Sequence, residues 1–420
     1  MNYKKIKFCR ICDQKLKNKV LSFPATPPAN EFVTSPVEQE KFPLDLMECG
    51  KCGHVQLSVA VNPEILFKNY VYVSGTSPSF VNHFKDYAKS IIDSFDLKQD
   101  KSIVLDIGSN DGTLLKAFKQ YNLTVIGVDP AEKIAAQANK DGIYTINSFF
   151  NKDVVKKIKY KFGKIDVITA NNVFAHTENL NKFVANVKKL LSKEGVFIFE
   201  CSYLVDVINN MGWDTCYHEH ISMHSLAPLI TLFDSHKMKI FKVERVNTHG
   251  GSIRVFVSKQ NSSHAEMSLD SLIKEENDLG LNISKKLIKK YNIIKNNKNI
   301  FEEYKAKIDN LGAKMLETLR EIKSKNQNIV GFGAPAKFCT LSHTFGINKD
   351  LIDVVIDDSP LKQNLYTPGN HIKVVPSSYL KYNKVDYIVI FAWNFAENII
   401  KNNSDYKGKW IIPIPEFKVI

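Results

Sequence analysis

The chain has no run of about 18 uninterrupted apolar residues, the length a membrane-spanning helix needs, so no membrane partner is expected. Its opening stretch, MNYKKIKFCRICDQK, carries charge but no apolar h-region, which argues against a secretory signal peptide. There is no arginine-rich block and no basic–aromatic alternation of the kind that binds nucleic acid. The formal charge of +13 comes from lysines spread along the sequence, densest near residues 284–325. It reads as a solvated basic face, useful at most for attracting a phosphate-bearing small substrate. Cysteine is scarce and odd in number: seven, four of them in CxxC pairs. That excludes a disulfide framework and fits a reducing, cytoplasmic setting. An apolar fraction of 44% and a charged fraction of 24% are those of an ordinary globular protein. A length of 420 residues suggests two or three domains.

The cysteine pairs are "CRIC" (Cys9, Cys12) and "CGKC" (Cys49, Cys52). Two CxxC knuckles give four thiolates converging on a tetrahedron, the arrangement structural zinc prefers, with no position left open for catalysis. The spacer from Asp13 to Glu48 is longer than that of a minimal ribbon and implies an inserted, strand-rich loop. A redox CxxC would need one pair inside an α/β unit, and neither pair sits in one.

"SIVLDIGSNDGTLLKAF" (Ser102–Phe118) reads as buried strand, glycine loop, helix, the first unit of a doubly wound sheet. The closely spaced G-x-G-x-x-G of a dinucleotide site is missing here. The spacing is Gly108-x-x-x-Gly112, with Asp106 in front and Asp111 inside, and carboxylates there would repel a pyrophosphate. They suit a positively charged ligand without phosphates. Asp129 ends the next strand, placed to accept from two ribose hydroxyls. "NSFFN", with Phe149, falls where an adenine would sit, and "KIDVITANNVFAH", with Asn171 and Asn172, supplies the fourth strand and its following loop. Together these motifs resemble a class I S-adenosylmethionine-dependent methyltransferase. That resemblance implies cofactor contacts from Asp106, Gly108, Asn110, Gly112, Asp129, Phe149, Asn171 and Asn172. The alternative reading is an NAD-binding half-domain.

The whole ordered set, "CRIC…CGKC", "YVYVSGTSPSFVNHF", "DIGSNDGTLL", "GVDPA", "NNVFAH", "YHEHISMHSL", "HGGSIRVFV", "GFGAPAK" and "DYIVIFAWN", resembles the zinc-containing C-methyltransferases of nucleotide-linked keto-deoxysugars. The resemblance implies an α/β chain in three parts. A small zinc-binding domain over 1–70 is followed by a methyltransferase sheet over 71–262. A helical linker and second Rossmann-like domain then occupy 263–420. It implies one structural zinc, S-adenosylmethionine as donor and a nucleotide-linked keto-sugar as partner; the oligomeric state stays open, a monomer included. It places Tyr217, His218, Glu219 and His220 in the active site, and Thr76, His249, Arg254 and Lys337 near the substrate. In some relatives a tyrosine stands where Thr76 aligns.

The chemistry shows why such groups are needed. A carbon next to a ketone becomes a nucleophile only by losing a proton, and histidine titrates in the right range to take it. The developing enolate needs hydrogen-bond donors. His220 is therefore read as the base, Glu219 as its orienter or a proton shuttle, and Tyr217 as donor to the keto oxygen. A catalytic metal would want HExxH, and this run is HEH. His224 reads as a buried or surface histidine. O- or N-methylation on the same fold and a noncatalytic zinc-ribbon binding role are the competing readings.

Residues 263–326 read as two long helices. "NIVGFGAPAKFCTLSHTFGI" then restarts a strand–turn–helix unit, with Lys337 at a helix N-terminus where a diphosphate could bind, helped by Lys362 and His371. The alternative is a structural cap.

Overall fold

In the computed structural model, residues 2–67, 75, 78–248 and 250–420 are described, without the side chains of 78–80. Thr76 and His249, as well as Tyr70 and Tyr72, lie outside the described residues.

The central sheet has seven strands in the order Met238–Val246, Ser252–Lys259, Leu191–Ser202, Ile165–Thr169, Ile103–Ile107, Thr124–Asp129, Thr145–Asn147. The second of these runs antiparallel to both its neighbours, and the pairings from Leu191–Ser202 outward are parallel. Helices cover both faces, so the middle strands are buried on both sides and read as continuous apolar runs. The order reverses on either side of Ile103–Ile107. In an open α/β sheet, ligands bind beyond the carboxyl ends of the strands at such a switch point.

The C-terminal sheet has six strands, parallel except for the last, with Ile329–Phe332 and Tyr387–Ile390 at its centre. This is the expected second doubly wound unit. The first of the two helices anticipated in the linker is broken into Asp270–Leu279 and Lys285–Lys290. Gly280 stops it with φ of +97°, a left-handed cap that glycine adopts without steric cost. Ile300–Ser324 forms the long second helix.

The N-terminal domain is built on a four-stranded sheet: Asn18–Thr26, Phe42–Glu48, Val55–Leu57 and Ser222–Met223. The last strand comes from the methyltransferase part of the chain, immediately after His220. The two domains therefore share one sheet.

Candidate active site

The glycine loop leaves Ile107 and turns at Gly108, whose φ is +70°. A Cβ there would lie 2.3 Å from Val173 Cγ2, so packing as well as backbone conformation demands glycine. Asn110 also has positive φ, +50°, and its N–H donates to Asp129 Oδ2 at 2.8 Å. Ala131 N–H donates to the other oxygen at 2.8 Å. Each Asp129 oxygen keeps a second lone pair for a further donor. Burial raises the Asp129 carboxyl. Asp106 is buried at the end of its strand, accepts from Thr169 Oγ1 at 2.6 Å, and is pushed up to about 7 by burial. Asp111 accepts from Thr113 N–H and Thr113 Oγ1 at the start of the following helix and also from Gly75 N–H, which brings Gly75 onto the glycine loop.

Phe149 is exposed just past the strand Thr145–Asn147, and Asn147 ties this turn to the carbonyls of Asp129 and Pro130. Asn171 Oδ1 accepts from Glu200 N–H, while its Nδ2 is buried without a hydrogen-bond partner among the described residues. These features suit S-adenosylmethionine: carboxylates at two strand ends, no lysine or arginine in the loop 106–112, and an orphaned buried donor nearby.

Asn172, with φ of +55°, shares a narrow cleft with His176, Cys201, Ser202, His220 and Met223. His220 is thus brought to the cofactor end of the sheet. Its Nδ1 lies 2.8 Å from the carbonyl oxygen of Thr215 and 3.1 Å from the Thr215 hydroxyl. A carbonyl only accepts, so Nδ1 carries the proton and Nε2 the lone pair. Tyr217 O–H, 3.0 Å away, donates to that lone pair. The His176 ring is 5.1 Å from the His220 ring, and burial keeps His176 neutral.

The other two members of the run face away from this pair. His218 Nε2 donates to the carbonyls of Phe42 and Pro43, its ring packs edge-on to Phe42, and burial lowers it to about 4. It is an anchor to the N-terminal domain, not an accessible base. Glu219 accepts from Asn30 Nδ2 at 2.7 Å and is pushed up to about 7 by burial. Thr215, not Glu219, holds the His220 ring. His224 is buried against Phe174 and His54.

Two substrate assignments also change. Arg254 is buried, with Nε and one terminal nitrogen on Glu200 at 2.7 and 2.6 Å, and its guanidinium lies over Tyr87. His83 bonds the other Glu200 oxygen at 3.1 Å. Arg254 is committed to this network and does not face an open site. Lys337 is half-buried at the start of Ala336–Phe345, 4.1 Å from the centre of the Trp393 ring. Its charge acts on buried Asp214. Lys362 donates to Ala334 O and pairs with Asp357. Neither lysine lines the larger cavity beside the C-terminal domain, about 640 Å³, whose walls include His83, Asn210, Arg245, Thr248, Trp393 and Asn394.

In the N-terminal domain, Cys9 and Cys52 Sγ atoms are 3.6 Å apart and those of Cys12 and Cys49 3.5 Å. All four lie within 4.8 Å of one another and none is in a disulfide. A tetrahedron with metal–sulfur bonds of about 2.3 Å has sulfurs about 3.8 Å apart, so the set fits zinc.

Sequence reasoning missed Thr215, Asn30 and Asp214. Thr215 acts largely through a backbone carbonyl, which has no side-chain signature. Asn30 lies 189 residues from its partner.

Fold and site together define a class I methyltransferase, with S-adenosylmethionine as methyl donor and a zinc-binding domain that shares a sheet with it. A zinc-binding domain model matches residues 9–67, a methyltransferase domain model 81–238, and a C-methyltransferase C-terminal domain model 247–415. The chain is 30% identical over 419 residues to the C-methyltransferase NovU of Streptomyces niveus, covering 98% of this chain and 96% of that one. The chain belongs to this C-methyltransferase family. Malonyl-[acyl-carrier protein] O-methyltransferase of Halalkalibacterium halodurans is 28% identical over 149 residues, 34% of this chain and 51% of its own. The magnesium protoporphyrin IX methyltransferase of Synechocystis PCC 6803 aligns at 15% identity and a TM-score of 0.32, covering 43% of this chain and 81% of its own, too loosely to carry an argument. Among the described residues no helix is long and apolar enough to cross a membrane.

Proposed function

We propose that the protein methylates the carbon next to the ketone of a nucleotide-diphosphate-linked 4-keto-deoxysugar, at C3, through an enolate. The observation that carries this reading is the Tyr217–His220 pair, 3.0 Å apart in a fixed tautomer, at the cofactor end of the sheet. Bound S-adenosylmethionine supplies an electrophilic methyl group; Asp129, Asn110 and the loop 106–112 would hold it. When a ketone oxygen enters, the Tyr217 hydroxyl turns its donation from His220 to that oxygen. This frees the Nε2 lone pair for the hydrogen on the adjacent carbon. The C–H electron pair becomes the enolate, stabilised by Tyr217, and the proton stays on His220. Thr215 O, already bonded to Nδ1–H, favours the imidazolium that forms. The enolate carbon would take the methyl group, the S–CH3 bond breaking with its electron pair left on the sulfur of the departing S-adenosylhomocysteine. The cavity of about 640 Å³ is of the size that holds a drug-sized ligand or larger, and Arg245, Asn210 and Asn394 offer polar partners for a nucleotide.

The test is solvent deuterium exchange into a panel of nucleotide-linked 4-keto-sugars without methyl donor, followed by methyl transfer with it. His220→Asn is expected to retain S-adenosylmethionine binding but to lose both exchange and turnover by at least about 10²-fold, the low end for a positioned base. Turnover without any exchange in the native protein would favour O- or N-methylation. Exchange that persists in His220→Asn would move the base elsewhere.

A further inference from the structure

Two short 3-10 turns, Trp213–Thr215 before the active-site loop and Trp393–Phe395 in the C-terminal domain, meet in the interior. Trp393 Nε1 donates to Asp214 Oδ2 at 2.8 Å. Asp214 is fully buried, its Oδ1 has no hydrogen-bond partner among the described residues, and the backbone N–H groups of Asp214 and Thr215 also favour its charged form. Burial pushes this carboxyl up to about 6, against the opposing charge of Lys337. Lys337 lies over the same Trp393 ring. On the other side of Thr215, the Cys216 carbonyl accepts from Thr340 Oγ1 at 2.7 Å, on the helix that carries Lys337. Thr215 is therefore held between two bonds to the C-terminal domain, and it is the residue that orients His220 Nδ1. A buried carboxylate is a poor source of stability even with such partners, and a packed apolar side chain would serve the fold as well or better. Trp393 itself forms part of the wall of the large cavity.

We propose that Asp214 is a positioning residue of the methyl-transfer reaction: by accepting the Trp393 indole it locks the turn before the loop to the C-terminal domain and so fixes the His220 ring. This rests on the reading of His220 as the base. The chain of contacts runs from the cavity wall at Trp393, through Asp214 and Thr215, to the imidazole. A substrate that fills the cavity and packs on Trp393 steadies the base from behind.

The test uses the full-length zinc-loaded protein with Asp214→Leu, Asp214→Asn, Trp393→Phe and, as the reference, His220→Asn. Asp214→Asn keeps an acceptor for the indole and is expected to retain kcat within about threefold. Asp214→Leu keeps the volume and loses the acceptor; Trp393→Phe keeps a ring and loses the donor. Each is expected to lower kcat at least tenfold and displace the pH midpoint of kcat, with S-adenosylmethionine affinity unchanged by calorimetry. The Asp214→Leu/Trp393→Phe double variant should be no slower than the slower single variant. Should Asp214→Leu fail to fold, Trp393→Phe and the Asn variant still decide. A lowered melting temperature with an unmoved kcat and pH profile overturns the proposal. So does additivity in the double variant. If His220→Asn turns over normally, the reading of the base fails first, and that result is separate from the behaviour of Asp214.

Discussion

Replacing Asn30 with alanine would isolate what the N-terminal domain does for the active-site loop. Asn30 Nδ2 donates to Glu219 Oε1 at 2.7 Å, and it is the one hydrogen bond described for that buried carboxyl. Burial raises Glu219 from 4.5 to about 7. The folded form thus holds a proton that the unfolded form releases, and Glu219 lowers stability as pH rises from about 4.5 to 7. Below that window the carboxyl is neutral in both states. At pH 6 it is mostly protonated, and losing a neutral bond should cost the loop about 1 kcal/mol. At pH 8 it is mostly charged, and a bond to a charged group is worth about 1.5–3 kcal/mol. The variant can escape by taking up a proton, at about 1.4 kcal/mol per pH unit above the carboxyl's own midpoint. That caps the loss at pH 8 at about 2.4 kcal/mol, the neutral bond plus one pH unit, and about 2 kcal/mol is expected. Amide hydrogen exchange of the segment 216–224, corrected for intrinsic rates, should accelerate roughly fivefold at pH 6 and roughly thirtyfold at pH 8. The His220 amide, bonded to Tyr217 O at 2.9 Å, is the reporter to follow. S-adenosylmethionine affinity should not change, because Asn30 is bonded to the loop and not to the cofactor residues. Equal acceleration at both pH values, or less than twofold at pH 8, would refute this account of Glu219.

The strand after the second cysteine knuckle, Val55–Leu57, pairs with Ser222–Met223 next to His220. Cys49→Ser should therefore lower zinc content below one per chain by elemental analysis and reduce the melting temperature before it changes cofactor affinity; a metal-free native preparation would remove the premise. Asp129→Ala should weaken S-adenosylmethionine by about 1.5–3 kcal/mol in titration calorimetry, the scale of hydrogen bonds to a charged group. Unchanged affinity would mean that the second strand end does not hold the ribose.

What was legible in the sequence is what local chemistry fixes. The strand–glycine loop–helix of Ser102–Phe118 needs only apolar periodicity and residues that tolerate positive φ, and both are contiguous. The cysteine knuckles announce themselves by spacing. The Tyr-His-Glu-His run pointed to the loop that carries the proposed base but not to the division of labour within it. That division depends on partners far away: Phe42 and Pro43 for His218, Asn30 for Glu219, Thr215 for His220. Arg254 was misread for the same reason, because its fate is decided by Glu200 across a strand pair rather than by its motif. The linker helix failed at Gly280, where a left-handed cap outweighed the surrounding helical period.

On the proposed reading of His220 as the base, the arrangement gives the two extra domains a role. Between Tyr217 and Ile221 the loop makes only two backbone bonds of its own, His220 N–H to Tyr217 O and Ile221 N–H to Glu219 O. Two such bonds cannot hold an imidazole to the few tenths of an ångström that proton transfer from carbon demands. The N-terminal domain grips the loop at His218, Glu219 and the strand Ser222–Met223. The C-terminal domain grips it from the other side at Asp214 and Cys216. Zinc sits far from the chemistry in role, yet it closes the knuckle from which the gripping strand emerges. A methyl acceptor that is already nucleophilic would need far less of this scaffolding; a carbon acid needs its base held from both sides.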